Sequence, residues 1–97
     1  MPDIYDYFGL IFYFWTDEHD PIHVHVEYQG MGCVVYLWRD GRIEIRHQKG
    51  MRHLPDKMLN TIERFVRRKQ NDIRQKWVDY HIFRKRFKTE RITRRIV

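Results

Sequence analysis

Between Ile22 and Tyr28 the chain alternates without a break: Ile22, Val24, Val26 and Tyr28 are apolar, while His23, His25 and Glu27 between them are polar. Successive side chains of an extended backbone point to opposite sides, so this period of two predicts a strand with one face buried. Upstream, Ile4 to Trp15 is rich in aromatic and β-branched residues around Gly9. It reads as a bulged strand, or as two short strands about a bend. The acidic stretch Thr16 to Pro21 is then a turn, as is Gln29 to Gly32. Cys33 to Trp38 follows as an apolar strand, Asp40-Gly41 as a hairpin signal, and Arg42 to Arg46 as a returning strand with Ile43 and Ile45 inward.

Beyond Gly50 the period changes. Met58, Ile62, Phe65, Lys69, Ile73, Trp77 and Tyr80 recur every three or four residues, with Leu59 and Val66 widening the stripe. Pro55 suits a first helical turn, so a long amphipathic helix is predicted over Pro55 to His81, its other face carrying Arg64, Arg67, Arg68, Arg74 and Lys76. The remaining segment lacks this regularity, and its end reads as a further strand, a frayed helix or a disordered arm. The expected fold is α+β: an antiparallel β-meander of three to five strands packed against one long C-terminal amphipathic helix. Residues 1–81 form the single domain and 82–97 a basic tail.

At 97 residues the chain has room for one modest core, which disfavours elaborate catalysis; a content of 15% Phe, Tyr and Trp helps to fill that core. The longest apolar run, Phe8 to Trp15, is far short of the roughly 20 residues that span a bilayer. No secretory signal is evident, because acids stand where such a signal carries bases. Cys33 is the only cysteine, so no internal disulfide forms and a cytoplasmic, reducing setting is expected.

Net charge is +6, and its distribution is more telling than its sum. Residues 1–30 hold six acids (Asp3, Asp6, Asp17, Glu18, Asp20, Glu27) and no Lys or Arg, whereas 82–97 hold seven bases against Glu90. This polarity suggests a basic surface for phosphate or an acidic partner, or charge pairing within the fold or across a homodimer. RNA or DNA would meet Arg64, Arg67 and Arg68 on the helix and Arg84, Lys85, Arg86, Arg91, Arg94 and Arg95 in the tail. Lys88 adds a base, and Phe83 and Phe87 offer rings to unpaired bases.

Same-face neighbours on a strand reach one ion, so His23 and His25 can supply two imidazole nitrogens. His19 or Asp20 before them, or Glu27 after them, can supply a third ligand for Zn²⁺ or another divalent cation. An open coordination position, or the imidazoles themselves, would then serve hydrolysis. The bland reading is that these are the polar side chains of a half-buried strand, with one imidazole donating to a carbonyl around Pro21. His81 at the helix end has a structural reading too, beside the negative pole of the dipole.

Tyr7-Phe8-Gly9, the Phe12-Tyr13-Phe14 strand, the stretch His19, Pro21, His23, His25, Val26, and Leu54-Pro55 before a tryptophan-bearing helix resemble the small prokaryotic family known as domain of unknown function 4160. The resemblance spans about residues 1–81, with Ile22 where a second proline is common and Val24 where an aromatic is common. It implies a compact bacterial α+β domain, often encoded beside another small uncharacterised protein in an arrangement like a toxin-antitoxin pair. No established catalytic residues come with it. Two functions of different class follow: a nucleic-acid- and protein-binding component of such a pair, or a metal- or histidine-dependent ribonuclease using His19, His23 and His25. A third is a pure protein-interaction subunit.

Overall fold

A computed structural model describes residues 3–15, 21–86 and 88–97. The elements are β1 (Asp3–Tyr7), β2 (Leu10–Tyr13), β3 (Ile22–Tyr28), β4 (Met31–Leu37), β5 (Ile43–His47), α1 (Asp56–His81) and β6 (Glu90–Ile92). They make one sheet in the order β5-β4-β3-β2-β1-β6, with the first five strands an antiparallel meander and β6 parallel to β1. The fold is therefore the expected α+β meander with one long helix. Among the described residues its sheet has six strands, the sixth contributed by the C-terminal segment.

The two sharpest turns explain why the first strands lie side by side. Phe8 and Gly9 join β1 to β2 with φ of 51° and 89°, and Gln29 and Gly30 join β3 to β4 with φ of 48° and 82°. Positive φ at both central residues matches the right-handed twist of a two-residue hairpin, and glycine at the second position removes half the steric cost. The segment Ile4 to Trp15 is thus two strands about Gly9, and Met31 and Gly32, expected in a turn, already belong to β4. After β4, Asp40 Oδ1 accepts from the Arg42 amide at 3.0 Å and turns the chain into β5.

The helix starts where the sequence places it, with Pro55 as the cap residue and Asp56 in the first turn. Ile62, Phe65, Val66, Ile73 and Trp77 are its buried residues, and they cover Tyr5, Phe12, Val24, Val26, Val35 and Leu37 on one face of the sheet. An irregularity between Asp3 and Tyr5 turns both Ile4 and Tyr5 inward. The Tyr5 hydroxyl then donates to Asp72 of α1, whose carboxylate also pairs with Lys76 at 3.0 Å. Among the described residues no helix is long and apolar enough to cross a membrane.

The C-terminal segment folds back onto the sheet edge. Arg84 adopts φ of 57°, the Lys85 amide donates to the Asp79 carbonyl at 2.8 Å, and β6 then runs beside β1. Ile92 is buried, and the Tyr7 hydroxyl accepts from the Ile96 and Val97 amides at 3.0 and 3.2 Å.

Candidate functional site

Because Val24 and Val26 point to the helix, His23, His25 and Glu27 project from the opposite sheet face. His23 and His25 lie side by side there, ring centroids 5.4 Å apart and nearly perpendicular. His25 is only 3% exposed although α1 lies on the other face of the sheet. It is stacked between Trp15 (4.3 Å, 10°) and Tyr13 (5.3 Å, 21°), with its Nδ1 3.3 Å from Gln48 Oε1. The imidazole-to-carbonyl contact anticipated around Pro21 is made by His23, whose Nδ1 lies 2.8 Å from the Pro21 carbonyl oxygen. Its ring leans on Tyr36 at 5.1 Å.

Glu27, the third member of this row, accepts from the Tyr13 hydroxyl. Burial, reinforced by that carboxylate, pushes the Tyr13 phenol up to about 12, so it stays a neutral donor at ordinary pH. His19 and Asp20, the ligand candidates from the preceding turn, lie outside the described residues, as do Thr16, Asp17, Glu18 and Phe87. Among the described residues, no group of three or more His, Cys, Asp or Glu side chains is gathered for a metal ion. Cys33 is buried on the helix side, and desolvation pushes its thiol up to about 12, which keeps it protonated and a poor ligand or nucleophile.

The sequence reading missed how far the ring row extends. From His23 it continues through Tyr36 to Trp38 (6.3 Å), with the Arg46 guanidinium 4.9 Å from the Tyr36 ring and Arg42 5.5 Å from Trp38. The available signal was the register of β4, which sets Val34 opposite His25 and Tyr36 opposite His23. A second missed pair is His47 with His53, stacked at 3.6 Å beside the sheet edge.

The basic residues divide into two sets. Arg64, Arg67 and Arg68 are exposed along the outer side of α1, and of these only Arg67 has a carboxylate partner among the described residues, Glu63 at 2.7 Å. Arg84, Lys85 and Arg86 are exposed just beyond the helix, while Arg91, Arg94 and Arg95 are exposed on and after β6. Arg91 stands opposite Asp6 in the strand register. Arg74 and Lys76, read from the sequence as members of the outer basic face, are half-buried instead. Arg74 Nη2 donates to the Trp38 carbonyl at 2.8 Å and Lys76 pairs with Asp72, because both leave the helix on its flanks rather than its crest.

A family model described as "Domain of unknown function (DUF4160)" matches residues 9–78. No curated protein and no solved structure matches the chain. The matched span runs from the first hairpin through the imidazole strand and nearly to the end of α1, and it stops short of β6 and the C-terminal bases. Strands β2 to β5 and all but the last residues of α1 lie within the matched span, and the chain belongs to the DUF4160 family.

Proposed function

We propose that this chain is a nucleic-acid-binding component of a small cytoplasmic regulatory or toxin-antitoxin-like pair, gripping the phosphate backbone with the outer face of α1 and the bases of the C-terminal segment. The observation that carries this reading is the exposed row Arg64, Arg67 and Arg68, in which two guanidiniums have no carboxylate partner among the described residues. The second support is that β6 docks on β1, so that Arg91, Arg94 and Arg95 extend a folded surface rather than a free arm. Cations held on rigid elements lose less entropy when they meet phosphates, and released counterions drive the association. A small partner protein fits the exposed Ile82 and Phe83 at the helix end. The lone buried Cys33 supports a reducing compartment.

The deciding experiment is fluorescence anisotropy with labelled single-stranded RNA and duplex DNA across a salt series. Each phosphate contact adds about 0.7 to the salt slope for a single strand, so Arg64→Gln with Arg68→Gln should lower it by about 1.4 while circular dichroism stays unchanged. No binding at low salt, or an unaltered slope, refutes the proposal. A second reading, a histidine- or metal-dependent ribonuclease, is favoured by the adjacency of His23 and His25. It requires cleavage that His23→Ala abolishes; that variant is the informative one, since the buried His25 also holds Trp15 and Tyr13 together.

A further inference from the structure

The two edges of the sheet differ in kind. At one, β6 has only three residues, the short edge that discourages further pairing. At the other, β5 has five residues, contains neither proline nor lysine, and keeps an unbroken register with β4 from His47 opposite Cys33 to Ile43 opposite Leu37. Sheets commonly blunt such an edge with a bulge, a proline or a lysine, and β5 has none of these.

The ladder between β4 and β5 decides which backbone groups the edge presents. The Trp38 amide donates to the Arg42 carbonyl at 3.0 Å, and the Gln48 amide to the Gly32 carbonyl at 3.3 Å. Alternate residues of an antiparallel pair bond inward, so Arg42, Glu44, Arg46 and Gln48 turn their backbone to β4. Ile43, Ile45 and His47 turn theirs to the free edge, and no loop or cap bond among the described residues takes these groups up. The side chains alternate as well. Ile43 and Ile45, opposite Leu37 and Val35, pack against the core from the helix side yet stay half-exposed. Glu44 and Arg46 stand on the open side, Glu44 opposite Tyr36 and the Arg46 guanidinium 4.9 Å from the Tyr36 ring.

We propose that β5 pairs with β5 of a second copy of this chain, antiparallel about a two-fold axis at Ile45, joining two six-stranded sheets edge to edge. The charge order of the strand selects this partner and this register. Centred on Ile45, Glu44 faces the partner's Arg46, and by symmetry Arg46 faces the partner's Glu44. These are non-hydrogen-bonded positions, where Cα atoms approach to about 4.5 Å and opposite charges stabilise a pair. Ile45 exchanges both of its outward bonds with its own copy, and Ile43 exchanges both of its with the partner's His47. Each Glu44 already accepts from Arg46 of its own chain at 2.6 Å and from Trp38 Nε1 at 3.0 Å, so the partner's guanidinium closes an array of alternating sign. Centring on Glu44 or Arg46 instead would oppose like charges and offer backbone groups already turned to β4. Centring on Ile43 would run the overlap into the turn at Asp40. Solubility alone would be served by these charges in any order.

Sedimentation equilibrium on the nuclease-treated full chain reads the state without nucleic acid, which keeps the outcome separate from that of backbone binding. A single strand pair is a small, reversible interface, so a monomer–dimer equilibrium with a midpoint of roughly 100 µM is expected. Glu44→Arg and Arg46→Glu each set like charges opposite one another across the axis, and each should weaken self-association by about tenfold or more. An equimolar mixture of the two variants should associate again, because each reversed charge then meets its opposite on the other chain. Glu90→Arg, the same change of net charge at the far edge of the sheet, should leave the equilibrium as in wild type. A wild type still monomeric at about 500 µM overturns the pairing, as do a dimer that survives both reversals, a mixture that stays monomeric, or equal weakening by Glu90→Arg.

Discussion

Phe65 is the side chain whose truncation should harm this fold most, and the expected cost follows from its neighbours. Its ring is fully buried, stacked on Phe12 (4.6 Å, 26°), tilted against Tyr7 (4.7 Å, 36°) and edge-on to Tyr5 (5.3 Å, 79°). A Phe→Ala change in a core costs about 3–5 kcal/mol, and the value within that range depends on how far the surroundings relax into the void. Here they relax little. Tyr5 is tied by its hydroxyl to Asp72, Tyr7 holds the Ile96 and Val97 amides, and Phe12 sits in a central strand. The upper part of the range, about 4–5 kcal/mol, is therefore expected, a large share of the roughly 5–15 kcal/mol typical of a domain. With a urea slope of about 2 kcal/mol per molar, the unfolding midpoint of Phe65→Ala should fall by about 2 M. Phe65→Leu, which keeps most of the volume, should lose only about 1–1.5 kcal/mol. Urea titrations followed by far-ultraviolet circular dichroism read both. A Phe65→Ala midpoint within about 0.5 M of wild type at equal slope would show that the three rings close over the gap, contrary to this reasoning.

Two further changes probe how the helix and the C-terminal segment are attached. At Asp72, burial alone would raise the carboxyl, but the hydrogen bonds from Tyr5 and Lys76 outweigh it and hold the group below its ordinary range. A depressed carboxyl contributes stability above its unfolded value, about 3.9, and loses it as pH falls through the folded value. The stability gap between wild type and Tyr5→Phe should therefore be constant above about pH 5 and narrow towards pH 3, and a gap that widens in acid contradicts the pairing. Tyr7→Phe removes the acceptor of two backbone amides, each worth about 0.5–1.5 kcal/mol. Hydrogen exchange should then quicken by about tenfold at the amides of Glu90–Ile92 while α1 keeps its protection, whereas equal loosening of both would mean that the segment does not open by itself.

What the sequence disclosed, and what it withheld, divides by the range of the interactions involved. The helix bounds were legible because Pro55, Asp56 and a period near 3.6 are local signals. The side of the sheet on which His23 and His25 emerge was equally legible, since alternation within β3 decides it. For β6 the sequence offered a further strand only as one of three readings of the chain's end: three residues pair in parallel with β1, and what holds them is the burial of Ile92 and a tyrosine hydroxyl 89 positions away from Ile96. The same holds for the candidate sites. Alternation places His25 on the open face, but Tyr13, Trp15 and Gln48, arriving from other segments, make it a packed side chain there rather than an exposed acid-base group. Helical spacing likewise assigns Arg74 to a polar face, yet its donation to the Trp38 carbonyl across 36 positions turns it away from the basic crest. Pattern along one chain thus fixes the direction in which a side chain leaves its backbone. What waits there depends on contacts made between elements, and chemistry depends on the latter.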